Sequence, residues 1–194
     1  MKNKYSENET FENIILEYEV IEDCEFTDCT FTGCSLTECT LSGCVFNECT
    51  FIDCSFSEIK SSDTSVSFGV FEKCSINGVN WRTLLPEVPL ACPIERLTGC
   101  KMRYNTFYKI PLNKFNFTGN DITRSEFTEC ALSGSSFRGC DLEGTEFFRC
   151  DLTKADLRDA KGYRIDILTS KLKNARFSYP DVMSLLDGIG IKIE

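Results

Sequence analysis

The residues best suited to do chemistry in this chain are its 13 cysteines. Cys24, Cys29, Cys34, Cys39, Cys44, Cys49 and Cys54 return every five residues without a break. Thiols in such number suggest a metal site or redox work, and the spacing opposes both. A zinc site draws four ligands together from short paired spacings, whereas a five-residue step sends successive thiols to successive sides of a coil. Residues 20 apart, such as Cys34, Cys54 and Cys74, would stack at about 4.8 Å with parallel side-chain vectors, a poor disulfide geometry. The chain has no histidine, which removes many catalytic and metal constellations. What remains is cysteine as a small inward-facing hydrophobe. Twelve of the 13 occupy the small inward position of the repeat, and only Cys92 is out of phase.

The elements that hold these cysteines follow from the residue two places after each, which is large and apolar: Phe26, Phe31, Leu36, Leu41, Phe46, Phe51 and Phe56. Stepping by five from Phe11 to Trp81 meets 15 positions, of which only Ser61 is polar. A second series from Leu97 to Leu157 has 13 positions, all apolar. Period five matches neither a helix nor a flat strand, so the pattern calls for a repeat architecture. Like residues also recur at 20, as in Phe11, Phe31, Phe51 and Phe71, or Leu112, Leu132, Leu152 and Leu172. Four five-residue segments therefore make one turn of a four-sided solenoid, each coil burying its apolar atoms against its neighbours.

Tandem Ala/Cys-x-Leu/Phe-x-x over roughly residues 9–177, with Ala155-Asp156-Leu157-Arg158-Asp159 close to the consensus, resembles the pentapeptide-repeat proteins. The resemblance implies an all-β fold, a right-handed quadrilateral β-helix. Its expected organisation is a polar lead-in at 1–10 that frays, a first block at 11–81, a looped-out insertion at 82–96, a second block at 97–177 and a C-terminal helix and strand at 178–194. Ser57–Ser65 interrupts the apolar pattern without changing phase, as one irregular face or a small bulging loop. From Trp81 to Leu97 is 16 residues. If that interval replaces one five-residue face, the excess is 11, and the three prolines inside it argue for a loop. Such a loop is either functional or a tolerated insertion.

Beyond Lys161 the pattern loosens. Ser178-Tyr179-Pro180-Asp181 reads as a helix start, Val182, Leu185, Leu186 and Ile189 share a helical face, and Ile189, Ile191 and Ile193 alternate like a short strand. This ending looks like that of the Qnr-type and MfpA-type members of the family. That resemblance implies that Val182, Leu185, Leu186, Ile189 and Ile191 cap the last coil and pair two copies into a dimer.

Charge is distributed unevenly. Residues 11–81 hold 13 anions and two cations, whereas residues 82–194 hold 15 anions and 17 cations. The first block is a little under four coils, about 18 Å at the inter-strand spacing, so its 11 net charges amount to about one per 1.7 Å, near the density of duplex DNA. Asp28 and Glu48 fall on one side, Glu38 and Glu58 on the opposite side, and Asp53 on a third. Such a rod repels nucleic acid and attracts proteins built to grip it, although charged faces also serve solubility. A third class, ice binding, is suggested by Thr10, Thr30 and Thr50 at 20-residue spacing, but the rank stops at Val70.

No nucleophile elbow, phosphate loop or acid–base pair in a cleft is present, so neither an enzyme nor a cofactor is expected. No apolar run is long enough for a membrane span, the start lacks a signal-peptide core, and the thiol content suits a reducing cytoplasm. The resemblance to Qnr-type proteins implies DNA gyrase or topoisomerase IV as partner and protection of that enzyme from quinolones. The expected contacts are the acidic positions Asp28, Glu38, Glu48, Asp53 and Glu58, with Arg82, Glu87, Glu95 and Arg96 of the insertion. The alternative is a generic interaction scaffold with an unrelated partner.

Overall fold

Each five-residue unit spends three residues extended and then turns a corner. Glu25–Thr27 and Thr30–Thr32 are two such strands in succession. Between them Asp28 takes a left-handed φ of 50°, and Cys29 then points back into the core with 1% of its surface exposed. The computed structural model describes residues 1–86 and 92–189. Left-handed corners recur at the same phase from Asn3 to Asn174. A three-residue strand cannot persist alone; these are held by parallel pairing with the coils on either side.

That pairing runs in a 20-residue register. Phe11 lies beside Phe31, Phe31 beside Phe51, and Phe51 beside Phe71. Their rings stack at 4.9, 5.1 and 5.0 Å, a file of offset aromatic contacts. Phe107, Phe127 and Phe147 form another file, at 4.3 and 4.9 Å. The result is the four-sided all-β solenoid expected from the period.

Cysteine does more in this core than fill space. The carbonyls of many inward residues face the coil that follows, where a thiol meets them. Cys49 Sγ lies 3.4 Å from Phe26 O, Cys54 Sγ 3.3 Å from Phe31 O, and Cys74 Sγ 3.3 Å from Phe51 O. The same Cys49 sulfur is 3.5 Å from Asn47 O, so its one proton chooses between two acceptors. Where a corner closes on itself the thiol is dispensable. Ser135 N–H donates to Leu132 O and Cys140 N–H to Phe137 O, and the residues 23 places after those two acceptors are Ala155 and Ala160. Cysteine thus serves as a weak donor to inward carbonyls, mostly at open corners; Cys140 Sγ also meets Phe117 O, which Asn120 N–H already reaches.

Several stretches differ from the sequence expectation. Residues 1–10 do not fray: Lys2 bridges to Glu22 and Tyr5–Glu7 pairs with Glu25–Thr27, so the lead-in is the first coil. The Ser57–Ser65 stretch carries a regular strand, Lys60–Ser62, in register with Thr40–Ser42. Its polar inward residue, Ser61, hydrogen-bonds the Thr83 hydroxyl. Across the insertion Phe71 pairs with Leu97 and Ile76 with Met102, 26 residues apart. The excess over a 20-residue turn is therefore six, not 11. Trp81 and Leu97 lie two faces apart, and the insertion supplies the face between them. Its ends are ordered, with a 3-10 turn at Trp81–Leu84 and a strand at Ile94–Thr98. Gly69 N–H donates to Pro93 O at 3.1 Å; a Cβ on Gly69 would meet that oxygen at 3.0 Å and the Phe71 ring at 2.9 Å.

Near the end Phe147 pairs with Ile165, 18 residues on, while Asp151 still bridges Lys171 at 20. One face is shortened by two residues and the next repays them, which is the loosening expected past Lys161. The helix spans Asp181–Ile189 with 3-10 turns, and Pro180 precedes it. Ile189 is its last residue; Ile191 and Ile193, read as strand, lie outside the described residues. Among the described residues no helix is long and apolar enough to cross a membrane, and no group of three or more Cys, Asp or Glu side chains is arranged to hold a metal.

Cys49→Ala is expected to lower stability by about 1–2 kcal/mol in urea unfolding, because Phe26 O loses its donor inside the core. Cys49→Ser is expected to lose less, since Thr145 already makes this bond with a hydroxyl, 2.7 Å to Ile122 O. Twelve of the 13 thiols are buried, at 3% exposure or less, and Cys92 alone is partly accessible, so the native protein should expose at most Cys92 to a thiol reagent near neutral pH. All 13 cysteines should react after denaturation.

Candidate functional site

The corner geometry decides which side chains project furthest from the solenoid. The residue two places after each inward one is left-handed, and its side chain points away from the core. From 23 to 63 the corners read Asp23, Asp28, Gly33, Glu38, Gly43, Glu48, Asp53, Glu58 and Asp63. All five acidic residues singled out from the sequence are therefore corner residues, and all five are exposed. Asp28 and Glu48 share one corner a coil apart, Glu38 and Glu58 share the diagonal corner, and Asp53 stands on a third. Glu38, Glu48 and Glu58 hold φ values of 51°, 54° and 52°. For a residue with a Cβ that conformation costs about 1 kcal/mol relative to glycine.

In the second block the same phase changes sign. Lys109, Lys114, Arg124, Arg149 and Lys154 occupy its corners, against Glu129 and Asp159. Pairing reinforces the contrast. Among the 13 anions of residues 11–81, Glu22 reaches Lys2 at 2.7 Å and Glu72 reaches Arg96 at 2.9 Å. The remaining 11 make no ion pair among the described residues. Second-block charges are interlaced instead, as in Arg103–Asp121 at 3.4 Å, Lys109–Glu129 at 3.4 Å and Arg158–Asp156 at 2.6 Å. The Arg158 hydrogen bond holds the Asp156 carboxyl down at about 2. Surface pairs of this kind add little stability, but they cancel the field that the first block leaves open.

Aromatic side chains accompany the acids on the outer surface. Tyr5 is 62% exposed and Tyr18 is 71% exposed. Tyr18 takes a corner directly below Glu38, whose charge and hydrogen bond raise the phenol above its ordinary range. Exposed tyrosines beside charge are typical of protein-binding surfaces. The sequence reading passed over both, although the phase that located Glu38 also places Tyr18 at a corner.

The other expected site residues are dispersed. Arg82 is exposed on the 3-10 turn, while Glu95 and Arg96 lie in the strand after the insertion, where Arg96 is tied to Glu72. They are not on a free loop, because the coil reforms at Ile94. Glu87 lies outside the described residues. In the terminal helix Val182, Leu185 and Leu186 are half-buried, and Leu185 packs on the core. Ser184 Oγ lies 3.4 Å from Tyr163 O, which seats the helix on the last coils. Ile189 is exposed, and Ile191 is outside the described residues.

Residues 24–85 and 96–178 match the family model for the pentapeptide repeat region. Two solved structures of QnrB1, described as a plasmid-mediated fluoroquinolone resistance protein, are similar to this chain. A trypsin-treated variant form shows 19% identity and a TM-score of 0.51, covering 100% of this chain and 99% of that one. The full-length form shows 19% identity and a TM-score of 0.50, covering 96% of this chain and 100% of that one. At this identity the likeness bears on the fold alone. No curated protein sequence matches. With the family model matched over well more than half of its length and the coils in place to account for it, this chain belongs to the pentapeptide-repeat family.

Proposed function

We propose that this protein is a non-enzymatic, cytoplasmic binding protein whose acidic first block engages a type II topoisomerase, DNA gyrase or topoisomerase IV, in the place of DNA. The observation that carries the reading is the set of 11 first-block anions without an ion pair, concentrated at corners where glycine would be easier. A rod with a net charge of about one per 1.7 Å presents a DNA-binding groove with a field like that of its usual ligand. By occupying the groove, such a rod destabilises a drug-bound cleavage complex without any chemical step, which is protection from quinolones. The fold likeness to QnrB1 agrees with this assignment. Arg82 and the insertion add specificity beside the acidic corners, and the terminal helix pairs two copies into a two-fold rod suited to a two-fold enzyme.

Supercoiling by gyrase in the presence of ciprofloxacin tests the central claim. Micromolar protein is expected to restore supercoiling or to inhibit it in competition with DNA. No effect on either gyrase or topoisomerase IV would discard the topoisomerase reading in favour of a scaffold with another partner. Glu38→Gly, Glu48→Gly and Glu58→Gly together remove three charges at positions that favour glycine. The triple variant should melt no lower than the parent while its effect falls at least tenfold. A loss of effect that tracked a loss of melting temperature would count against a charge-borne interaction.

Light-scattering mass addresses pairing through the terminal helix. The expected result is a dimer that becomes monomeric in Ile189→Asp. That site is preferred to Leu185, whose substitution would also unseat the helix from the core.

A further inference from the structure

Four of the buried thiols form one continuous file. Cys34, Cys54, Cys74 and Cys100 reach the carbonyls of Phe11, Phe31, Phe51 and Phe71 at 3.7, 3.3, 3.3 and 3.3 Å. Those acceptors are the phenylalanines that pair in register from coil to coil, so the sulfurs repeat with them. The insertion does not break the file. Lys101 N–H donates to Cys74 O at 2.9 Å and Ser75 pairs with Lys101, which sets Cys100 one coil beyond Cys74. Neighbouring sulfurs are therefore about one inter-strand spacing apart, ~4.8 Å. That is more than twice the length of a disulfide bond, and the parallel side-chain vectors oppose its closure.

The same spacing matches a different bond. A metal–thiolate bond is ~2.3 Å long, so two of them in line span ~4.6 Å. Zinc is excluded because it draws four ligands together, whereas a linear two-coordinate ion needs only two. Among soft ions that thiolates select, copper(I) is the one that accepts such a pair. We propose that the three gaps of this file are sites for copper(I), each ion held between the sulfurs of consecutive coils. Charge balance fits an apolar interior. One Cu⁺ and two thiols give a thiolate–copper–thiol unit and release one H⁺, so the core gains no net charge. Filling all three gaps removes three of the four thiol protons, and no electron is transferred. The copper–sulfur bonds replace weak S–H contacts to carbonyls. Hydrogen bonding with the Cys74 thiol draws the thiols on either side of it, Cys54 and Cys100, below their ordinary range, which eases the first deprotonation. All four are 3% exposed or less, so the ion enters as the coils close around it during folding.

Refolding from urea without oxygen, with copper(I) supplied as its acetonitrile complex and bicinchoninate added afterwards to strip loose metal, reads the copper retained per chain. Relative to the parent, Cys74→Ser is expected to lose about two ions, because it breaks the gaps on both sides of it. Cys54→Ser breaks two gaps as well and serves if the first variant does not fold. Cys39→Ser is expected to lose none. Cys39 is just as buried, but Glu19 and Ile59 stand 20 residues to either side of it, so it has no thiol neighbour in its file. The difference between variants separates this file from the chain's other thiols. X-ray absorption of the loaded protein should show two sulfur neighbours at ~2.3 Å and neither nitrogen nor oxygen. A parent that keeps no copper, a Cys74→Ser variant that keeps as much as the parent, an equal loss in Cys39→Ser, or copper with three or four neighbours would overturn the proposal.

Discussion

The interaction on which everything else depends is the hydrogen-bonded contact between a three-residue strand and its equivalent 20 residues away. No coil can stand alone, because a strand this short has too few bonds and too little buried surface. The register of Phe11, Phe31, Phe51 and Phe71 therefore governs the molecule. It stacks like rings on like rings, and it brings each inward thiol to the carbonyl it serves. Where corners are open, as around Phe26 and Phe31, the donor is a cysteine of the following coil. Where the corner closes on itself, alanine suffices. Much of the cysteine content thus answers to corner geometry.

The corners link this framework to function. Turning the chain demands a left-handed residue, and that residue's side chain is excluded from the core. Corner positions are consequently free to carry charge without disturbing the packing behind them. The first block uses this freedom for Asp28, Glu38, Glu48, Asp53 and Glu58, and the second block for Lys109, Lys114, Arg124, Arg149 and Lys154. One scaffold thereby presents an open negative field along half its length and a largely cancelled one along the other.

The same division appears inside. Inward residues from Leu97 to Leu157 are fully buried, while Phe31, Leu36 and Phe56 border a small apolar cavity. Ser61 is the polar inward residue of the first block. Its strand stays in register with Thr40–Ser42, and its hydroxyl bonds Thr83 beside the insertion. A discontinuity that reads in the sequence as a break is, in the fold, a regular strand with an unusual interior.

Much of this was legible in the spacing alone: the period, the four faces, the inward places, the burial of 12 cysteines and the acidity of the first block. Those properties are local, since a residue's distance along the chain sets which way it faces. Other features depended on which segments meet across a coil. Counting could not tell that two faces separate Trp81 from Leu97, so the insertion looked longer than it is. Nor could it assign Lys2 to Glu22 and Arg96 to Glu72, which left the other first-block acids bare. The small first-block cavity was equally hidden, because the filling of each rung is the sum of four side chains from separate segments. Periodicity determines direction, but only the assembled coil decides contact.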